Sequence, residues 1–154
     1  MSSPVIYTAV KAKPLQVSNL VFVDLETTGL PSSHYKVRIT ELCFCSVERD
    51  HFLSSRSQIP RVTNRLNLCL YPGRMIDLKA TELTQLDNYN LQNQSRFDEN
   101  VFKMISSFLN RLQPPVCLIA HNGTKFDFPI LKAEIANLGM VSLSFTQTTI
   151  CIMF

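Results

Sequence analysis

The hydrophobic pattern of the chain changes period near residue 76, and this change limits the folds that are possible. The first part holds three apolar or alternating runs that end in turn residues and predict strands: 20–25, 39–47 and 65–71. In the second part, apolar residues three or four positions apart predict helices on either side of one short apolar strand. The predicted elements there are a short helix over 76–86, a helix over 97–112, a strand over 116–120 and a helix over 128–138. Three strands followed by helix, strand and helix favour a mixed α/β sheet with helices packed on it.

The size and composition of the chain favour one globular domain. It has 154 residues, of which 45% are hydrophobic and 18% are charged, so a full core is possible without disulfides or structural metals. The net charge of +3 permits a polyanionic partner but does not by itself indicate one. Residues 46–64, rich in Ser, Arg and Asn, predict a strand end followed by a loop.

The cysteine spacing does not match a zinc finger, and the apolar runs are too short for a membrane protein. Cys43 and Cys45 are separated by one residue, too close for the usual zinc pair, and no second pair follows at zinc-finger spacing. The longest apolar runs are far shorter than the roughly 20 residues of a membrane helix, and residues 1–13 do not resemble a signal peptide. We therefore expect a soluble intracellular protein, located in the cytoplasm or the nucleus.

Two acidic residues stand at the end of the first predicted strand. Because side chains alternate along a strand, Asp24 and Glu26 point to the same side of the sheet, where their charges repel. A hard divalent cation such as Mg²⁺ or Mn²⁺ between them would remove that repulsion, since such ions prefer oxygen ligands. The alternative is a solvated strand end without function.

A third acid, Asp127, follows the strand over 116–120 and precedes a helix. Taken alone it is explained as a helix cap, favoured by free backbone N–H groups and the helix dipole. If the strand over 116–120 lies beside the first strand, however, Asp127 comes close to Asp24 and Glu26. Three converging acids are typical of sites that hold metal ions for phosphoryl transfer.

The two acidic segments resemble the first and second motifs of the DEDD 3′-to-5′ exonucleases. The matching stretches are FVDLETTGLP at 22–31 and AHNGTKFDFPIL at 120–131. The segment KATELTQL at 79–86 is similar to one in the three-prime repair exonucleases of that group. The resemblance covers roughly residues 18–140, and assigns 18–154 to an exonuclease domain preceded by an N-terminal extension at 1–17.

This resemblance implies a ribonuclease-H-like fold, with three antiparallel strands followed by parallel strands. It implies a DNA repair enzyme that releases nucleoside 5′-monophosphates from single-stranded DNA or the 3′ ends of duplex DNA, acting as a homodimer. It further implies that Asp24, Glu26 and Asp127 are catalytic and bind two ions, Mg²⁺ or Mn²⁺.

The resemblance also implies residues that contact the 3′-terminal nucleotide: Thr28, Gly29, Leu30, Leu83 and Asn122. Each has a simpler explanation, because Thr28, Gly29 and Asn122 suit turns and the leucines suit a core. The basic residues that are candidates to lie along the phosphates of the strand are Arg56, Arg61, Lys125 and Lys132, although isolated surface charges usually serve only solvation.

The chain departs from the family at its third motif, which supplies a His as general base and, five residues later, a fourth metal-binding Asp. After Asp127 the sequence contains neither His nor Asp, so we expect the fold to be incomplete at the C-terminus and the activity severely impaired. Glu134 lies about 10 Å along the helix from Asp127, too far to share an ion, and His121 suits a turn or the core. The alternatives are a catalytically dead nucleic-acid-binding or dimer-poisoning form, and an exonuclease that acts on RNA.

Overall fold

The structure, a computed structural model, describes residues 16–56 and 58–140 and the backbone of 148–150. The predicted N-terminal extension therefore lies almost entirely outside the described residues. Within them, the strands are β1 (Asn19–Thr27), β2 (Ile39–Glu48), β3 (Asn64–Cys69), β4 (Val116–Ile119) and β5 (Thr148–Ile150). The helices are α1 (Arg49–Ser54), α2 (Leu78–Thr84), α3 (Glu99–Asn110) and α4 (Asp127–Asn137).

The described strands form one mixed sheet in the order β3-β2-β1-β4-β5. The antiparallel pairs are β1 with β2 and β2 with β3, whereas β1 with β4 and β4 with β5 are parallel. The prediction of an antiparallel opening followed by parallel strands is therefore confirmed. This order places β4 directly beside β1, the condition on which the convergence of the three acids depended.

One face of the sheet is covered by helices, and alternate side chains of β1 are buried against them. Val21, Val23 and Leu25 are buried in a single hydrophobic cluster with residues of α3 and α4. Helix α3 begins at a true cap, since the Asp98 carboxylate accepts hydrogen bonds from the backbone N–H groups of Asn100 and Val101. The other face of β1 is left for Asp24 and Glu26.

One predicted loop contains a helix. Residues 46–64 were expected to form a strand end and a loop, but residues 49–54 form α1. Asp50 in its first turn suits the positive end of the helix dipole. Phe52 of α1 packs against Phe22 of β1 with ring centroids 6.0 Å apart, so a tertiary contact supports a segment whose local sequence is weakly helical.

None of the helices in the described part of the chain has the length and apolar character that crossing a bilayer requires.

Candidate active site

The acid on α4 is joined directly to β1. Asp127 is the first residue of α4 and is only 4% exposed. Its Oδ1 accepts a hydrogen bond of 3.1 Å from the backbone N–H of Leu25, the residue between Asp24 and Glu26. Three acidic residues thus gather where β1 meets the start of α4, although Asp127 is more than 100 positions from the other two in sequence.

Asp24 and Glu26 lie on the same face of the sheet, as the alternation of β1 predicts. Their neighbours Val23, Leu25 and Thr27 are buried, whereas Asp24 is exposed and Glu26 is half-buried. Both carboxylates therefore face away from the core and are accessible to a ligand from solvent.

The carboxylates repel one another across this junction. Burial raises the pKa of Glu26 above its ordinary value, and the charges of Asp24, Glu41 and Asp127 raise it further. Burial also raises the pKa of Asp127, opposed by its own backbone hydrogen bond and reinforced by Asp24. Clustered acids that raise each other's pKa are a common property of sites that bind cations or perform catalysis.

The chemistry of these side chains fits a hard divalent cation, because all are carboxylates and their repulsion is the kind a cation removes. Their side chains do not form a complete coordination site. In the part of the chain that the structure describes, no three His, Cys, Asp or Glu side chains are grouped closely enough to hold a metal ion. The assignment of Asp24, Glu26 and Asp127 as metal ligands therefore stays a prediction, supported by donor type and backbone position.

A buried ion pair joins α4 to β2. Glu134, 3% exposed, accepts hydrogen bonds at Oε1 from Arg38 Nε at 2.7 Å and from the backbone N–H of Ile39 at 3.3 Å. Glu134 therefore anchors the helix whose first residue is Asp127, in keeping with the expectation that it does not replace a metal ligand. Among the residues that the structure describes, its buried Oε2 has no hydrogen-bond partner, so Arg38 is its principal charge compensation.

His121 lies in the connection between β4 and α4 and is exposed, which agrees with a turn position and not with a core position. Its charge, when protonated, would lower the pKa of Asp127. His121 is therefore near the acidic group and acts on Asp127 through its charge, not through a hydrogen bond.

An apolar cavity of about 440 Å³ opens beside Glu26. Gly29, Leu30, Leu83 and Phe126 also line it. Leu30 and Leu83 are 75% and 76% exposed, so the alternative that these leucines belong to the core is wrong. Two solvent-facing leucines beside a carboxylate suit contact with a flat, partly apolar group such as a nucleobase.

Thr28 and Asn122, the other predicted substrate contacts, have clear structural roles. Thr28 is fully buried, and its Oγ1 accepts hydrogen bonds from Tyr35 Oη at 3.1 Å and from the backbone N–H of Arg38 at 3.2 Å. Asn122 adopts a left-handed backbone conformation with φ of 52°, and its carbonyl accepts from the N–H groups of Lys125 and Phe126. Their contact with substrate stays a prediction.

Several residues of this region were missed by sequence reasoning. Asp77, Lys79 and Phe126 line the cavity, and Glu41 lies opposite Glu26 in the strand pairing. The close approach of Asp77 to Gly29 explains that glycine, because a Cβ there would lie 2.2 Å from Asp77 Oδ2. Phe126 lies in the second motif directly before Asp127, and an aromatic residue at that position is the signal from which its place in the cavity could have been predicted.

A family model for exonucleases matches residues 21–153 of the chain. The chain belongs to this exonuclease family. It is also 42% identical over 141 residues to three-prime repair exonuclease 1 of Bos taurus, covering 84% of this chain and 44% of the relative. With three prime repair exonuclease 2 of Homo sapiens it shares 39% identity over 132 residues, covering 80% of this chain and 55% of the relative. The exonuclease chain thus spans about half the length of these relatives.

Solved structures support the fold. Exonuclease I in complex with an inhibitor matches with a TM-score of 0.68 at 14% identity, covering 89% of this chain and 28% of the other. A zinc-bound complex of E. coli exonuclease I with single-stranded DNA matches with a TM-score of 0.67 at 14% identity, covering 89% and 28%. The expected ribonuclease-H-like α/β fold is confirmed for the exonuclease chain.

The repulsion at Glu26 leads to a prediction about stability. An acid whose pKa is raised by folding binds its proton more tightly in the folded state, so stability falls as pH rises above 4.5, the ordinary value for Glu26. Replacing Glu26 with Gln removes the charge, and because solvent screens the repulsion at this half-buried group we expect it to stabilise the metal-free chain by at most about 1 kcal/mol at pH 7.

Urea denaturation at pH 7 and pH 4 measures this effect. The gain should disappear at pH 4, where the wild-type carboxyl is itself protonated. Glu82→Gln, on the exposed surface of α2, is the matched control. A Glu26→Gln variant less stable than wild type at pH 7 would contradict the repulsion.

Proposed function

We propose that the chain is the core of a metal-dependent 3′-to-5′ exonuclease that removes nucleoside 5′-monophosphates from the 3′ ends of DNA. The observation that carries this proposal is the bond from Leu25 N–H to Asp127 Oδ1. It sets the third acid against the Asp24 and Glu26 strand end, beside an apolar cavity suited to a terminal nucleotide.

The residues of the chain divide into two groups with different tasks. Asp24, Glu26 and Asp127 would hold Mg²⁺ or Mn²⁺, which when bound polarises the phosphodiester and lowers the pKa of a water nucleophile. Leu30 and Leu83 bind the terminal base and limit the depth to which the strand enters. Because Glu26 lines this cavity, a base held there would leave the scissile phosphate oriented towards the acidic group.

We expect the 154-residue polypeptide to be a slow enzyme when assayed by itself. Residues 128–154 contain no His that could act as general base and no Asp that could complete the ligand set. Absence of a general base costs about 10² to 10⁴ in rate. The catalytically dead DNA-binding form is the limiting case of this proposal.

A 3′-labelled single-stranded oligonucleotide tests the activity. With Mg²⁺ or Mn²⁺ we expect slow release of labelled mononucleotide, stopped by a chelator, and no internal fragments. Internal cleavage, or release that persists in the chelator, would refute the proposed function. Matched DNA and RNA oligonucleotides in the same assay decide between the two substrates, and sedimentation of the same sample tests the predicted homodimer.

The exposed leucines give a prediction about binding. Leu83→Ala removes an apolar contact worth up to about 1–2 kcal/mol when a base covers it, so affinity for a single-stranded 3′ end should fall about 5- to 30-fold. Fluorescence anisotropy measures this affinity, with metal present and within a time too short for cleavage of the oligonucleotide. Leu78→Ala is the matched control, because Leu78 is 83% exposed on the same helix but is not among the residues that line the cavity.

Circular single-stranded DNA, which has no 3′ end, should bind the wild type and Leu83→Ala equally. If Leu78→Ala weakens binding as much as Leu83→Ala, the cavity is not the site of the terminal base.

A further inference from the structure

The face of the sheet that carries Asp24 also carries two thiols side by side. Cys43 and Cys45 project from the same face of β2 with their Sγ atoms 3.5 Å apart, and both are half-buried. The pairing of β1 with β2 places Cys43 opposite Asp24. Neither thiol takes part in the proposed nuclease chemistry.

The spacing of the two sulfur atoms is close to that of two thiolates on one metal ion. Sulfur lies about 2.3 Å from zinc, and two tetrahedral ligands at that distance are roughly 3.8 Å apart. Soft cations select thiolate over carboxylate. The pair is therefore chemically distinct from the carboxylate group on the neighbouring strand, which suits hard ions.

Oxidation of the pair to a disulfide is disfavoured by the strand geometry. Residues two apart on an extended strand have Cα atoms roughly 6.4–6.8 Å apart, at the upper limit for a disulfide. A disulfide would therefore distort β2, whereas a bridging ion leaves the strand as it is. The dithiol form is the one that the sheet maintains.

We propose that Cys43 and Cys45 form a binding site for a soft, thiolate-preferring cation such as Zn²⁺ or Cd²⁺. The ion forms two metal–sulfur bonds and displaces two protons to solvent, and water or small anions complete its coordination. The negative charge of Asp24, across from Cys43, attracts a cation but disfavours the Cys43 thiolate, whereas Arg65, across from Cys45 on β3, repels the cation but favours that thiolate. The two thiols have no role in the proposed nuclease activity, although Asp24 lies beside both groups.

Cadmium is the probe, because its charge-transfer absorption in the ultraviolet reports sulfur ligands and is silent for carboxylates. The 154-residue chain is reduced, desalted and titrated with Cd²⁺ in excess Mg²⁺, which occupies hard sites. We expect the wild type to bind one equivalent of Cd²⁺ that Cys45→Ser either does not bind or binds with an affinity at least tenfold lower. Cys43→Ser should lose the same equivalent, and far-ultraviolet circular dichroism checks that both variants are folded.

Cys69→Ser is the matched control. Cys69 is a half-buried thiol on β3 that pairs with Glu41 and not with either cysteine of the proposed site, so its loss should leave the titration unchanged. An unchanged titration in Cys45→Ser, the same loss in Cys69→Ser, or no sulfur-to-cadmium band in the wild type would each overturn the proposal.

Discussion

Replacing Asp24 with Asn is expected to weaken Mn²⁺ binding at the acidic group and to suppress the slow release of 3′ nucleotides. Asp24 is exposed, so the isosteric change leaves the strand and its packing intact. It removes the charged oxygen of a proposed ligand, and we expect the affinity for Mn²⁺ to fall by at least about tenfold, the lower end of the loss that mutation of even an outer-shell partner causes at metal sites. Electron paramagnetic resonance of free Mn²⁺ measures binding, and the labelled oligonucleotide measures release.

The control is Asp50→Asn on α1. The Asp50 side chain is 93% exposed and outside the acidic group, so Mn²⁺ binding and nucleotide release should match the wild type. Equal Mn²⁺ affinity in Asp24→Asn and wild type would show that Asp24 is not a ligand, whatever the rate of nucleotide release.

Replacing Arg38 with Met should cause the largest loss of stability among the substitutions proposed for this protein. The change leaves the buried carboxylate of Glu134 with only the Ile39 N–H as a partner. Breaking a fully buried pair costs about 3–5 kcal/mol, and because the Arg38 side chain is 31% exposed we expect roughly 2–3 kcal/mol. Urea denaturation measures the free energy of unfolding, with Arg61→Met, an exposed arginine, as the matched control.

The double variant Arg38→Met with Glu134→Leu separates charge from packing. Because apolar replacement of a buried pair is often neutral or stabilising, the second change should recover most of the loss. An Arg38→Met variant within about 0.5 kcal/mol of the wild type, the usual range for surface substitutions, would mean that the pair does not anchor α4.

The sheet could be predicted because its strands differ in pattern according to their surroundings. The run over 116–120 is continuously apolar, and the structure buries it between β1 and β5. Because side chains alternate along a strand, the sequence alone predicts that Asp24 and Glu26 lie on one side of β1. What the pattern could not supply was the Leu25 to Asp127 hydrogen bond, since it depends on how α4 starts and not on periodicity.

Helix α1 and the cavity were beyond sequence reasoning for a physical reason. Phe52 holds α1 against β1 through Phe22, and such distant contacts leave no periodic signal in a six-residue helix. Leu30 and Leu83 have the composition of core residues, and only their exposure of 75% and 76% separates a binding surface from a core. The role of Glu134 was likewise visible only once Arg38 lay beside it.

Anomalous diffraction from crystals of the chain soaked in Mn²⁺ tests the central claim most directly. The account predicts a manganese peak within coordination distance of Asp24 and Asp127, with Glu26 adjacent. A well-soaked crystal with no peak at the junction of β1 and α4, or with manganese bound only elsewhere, would contradict it.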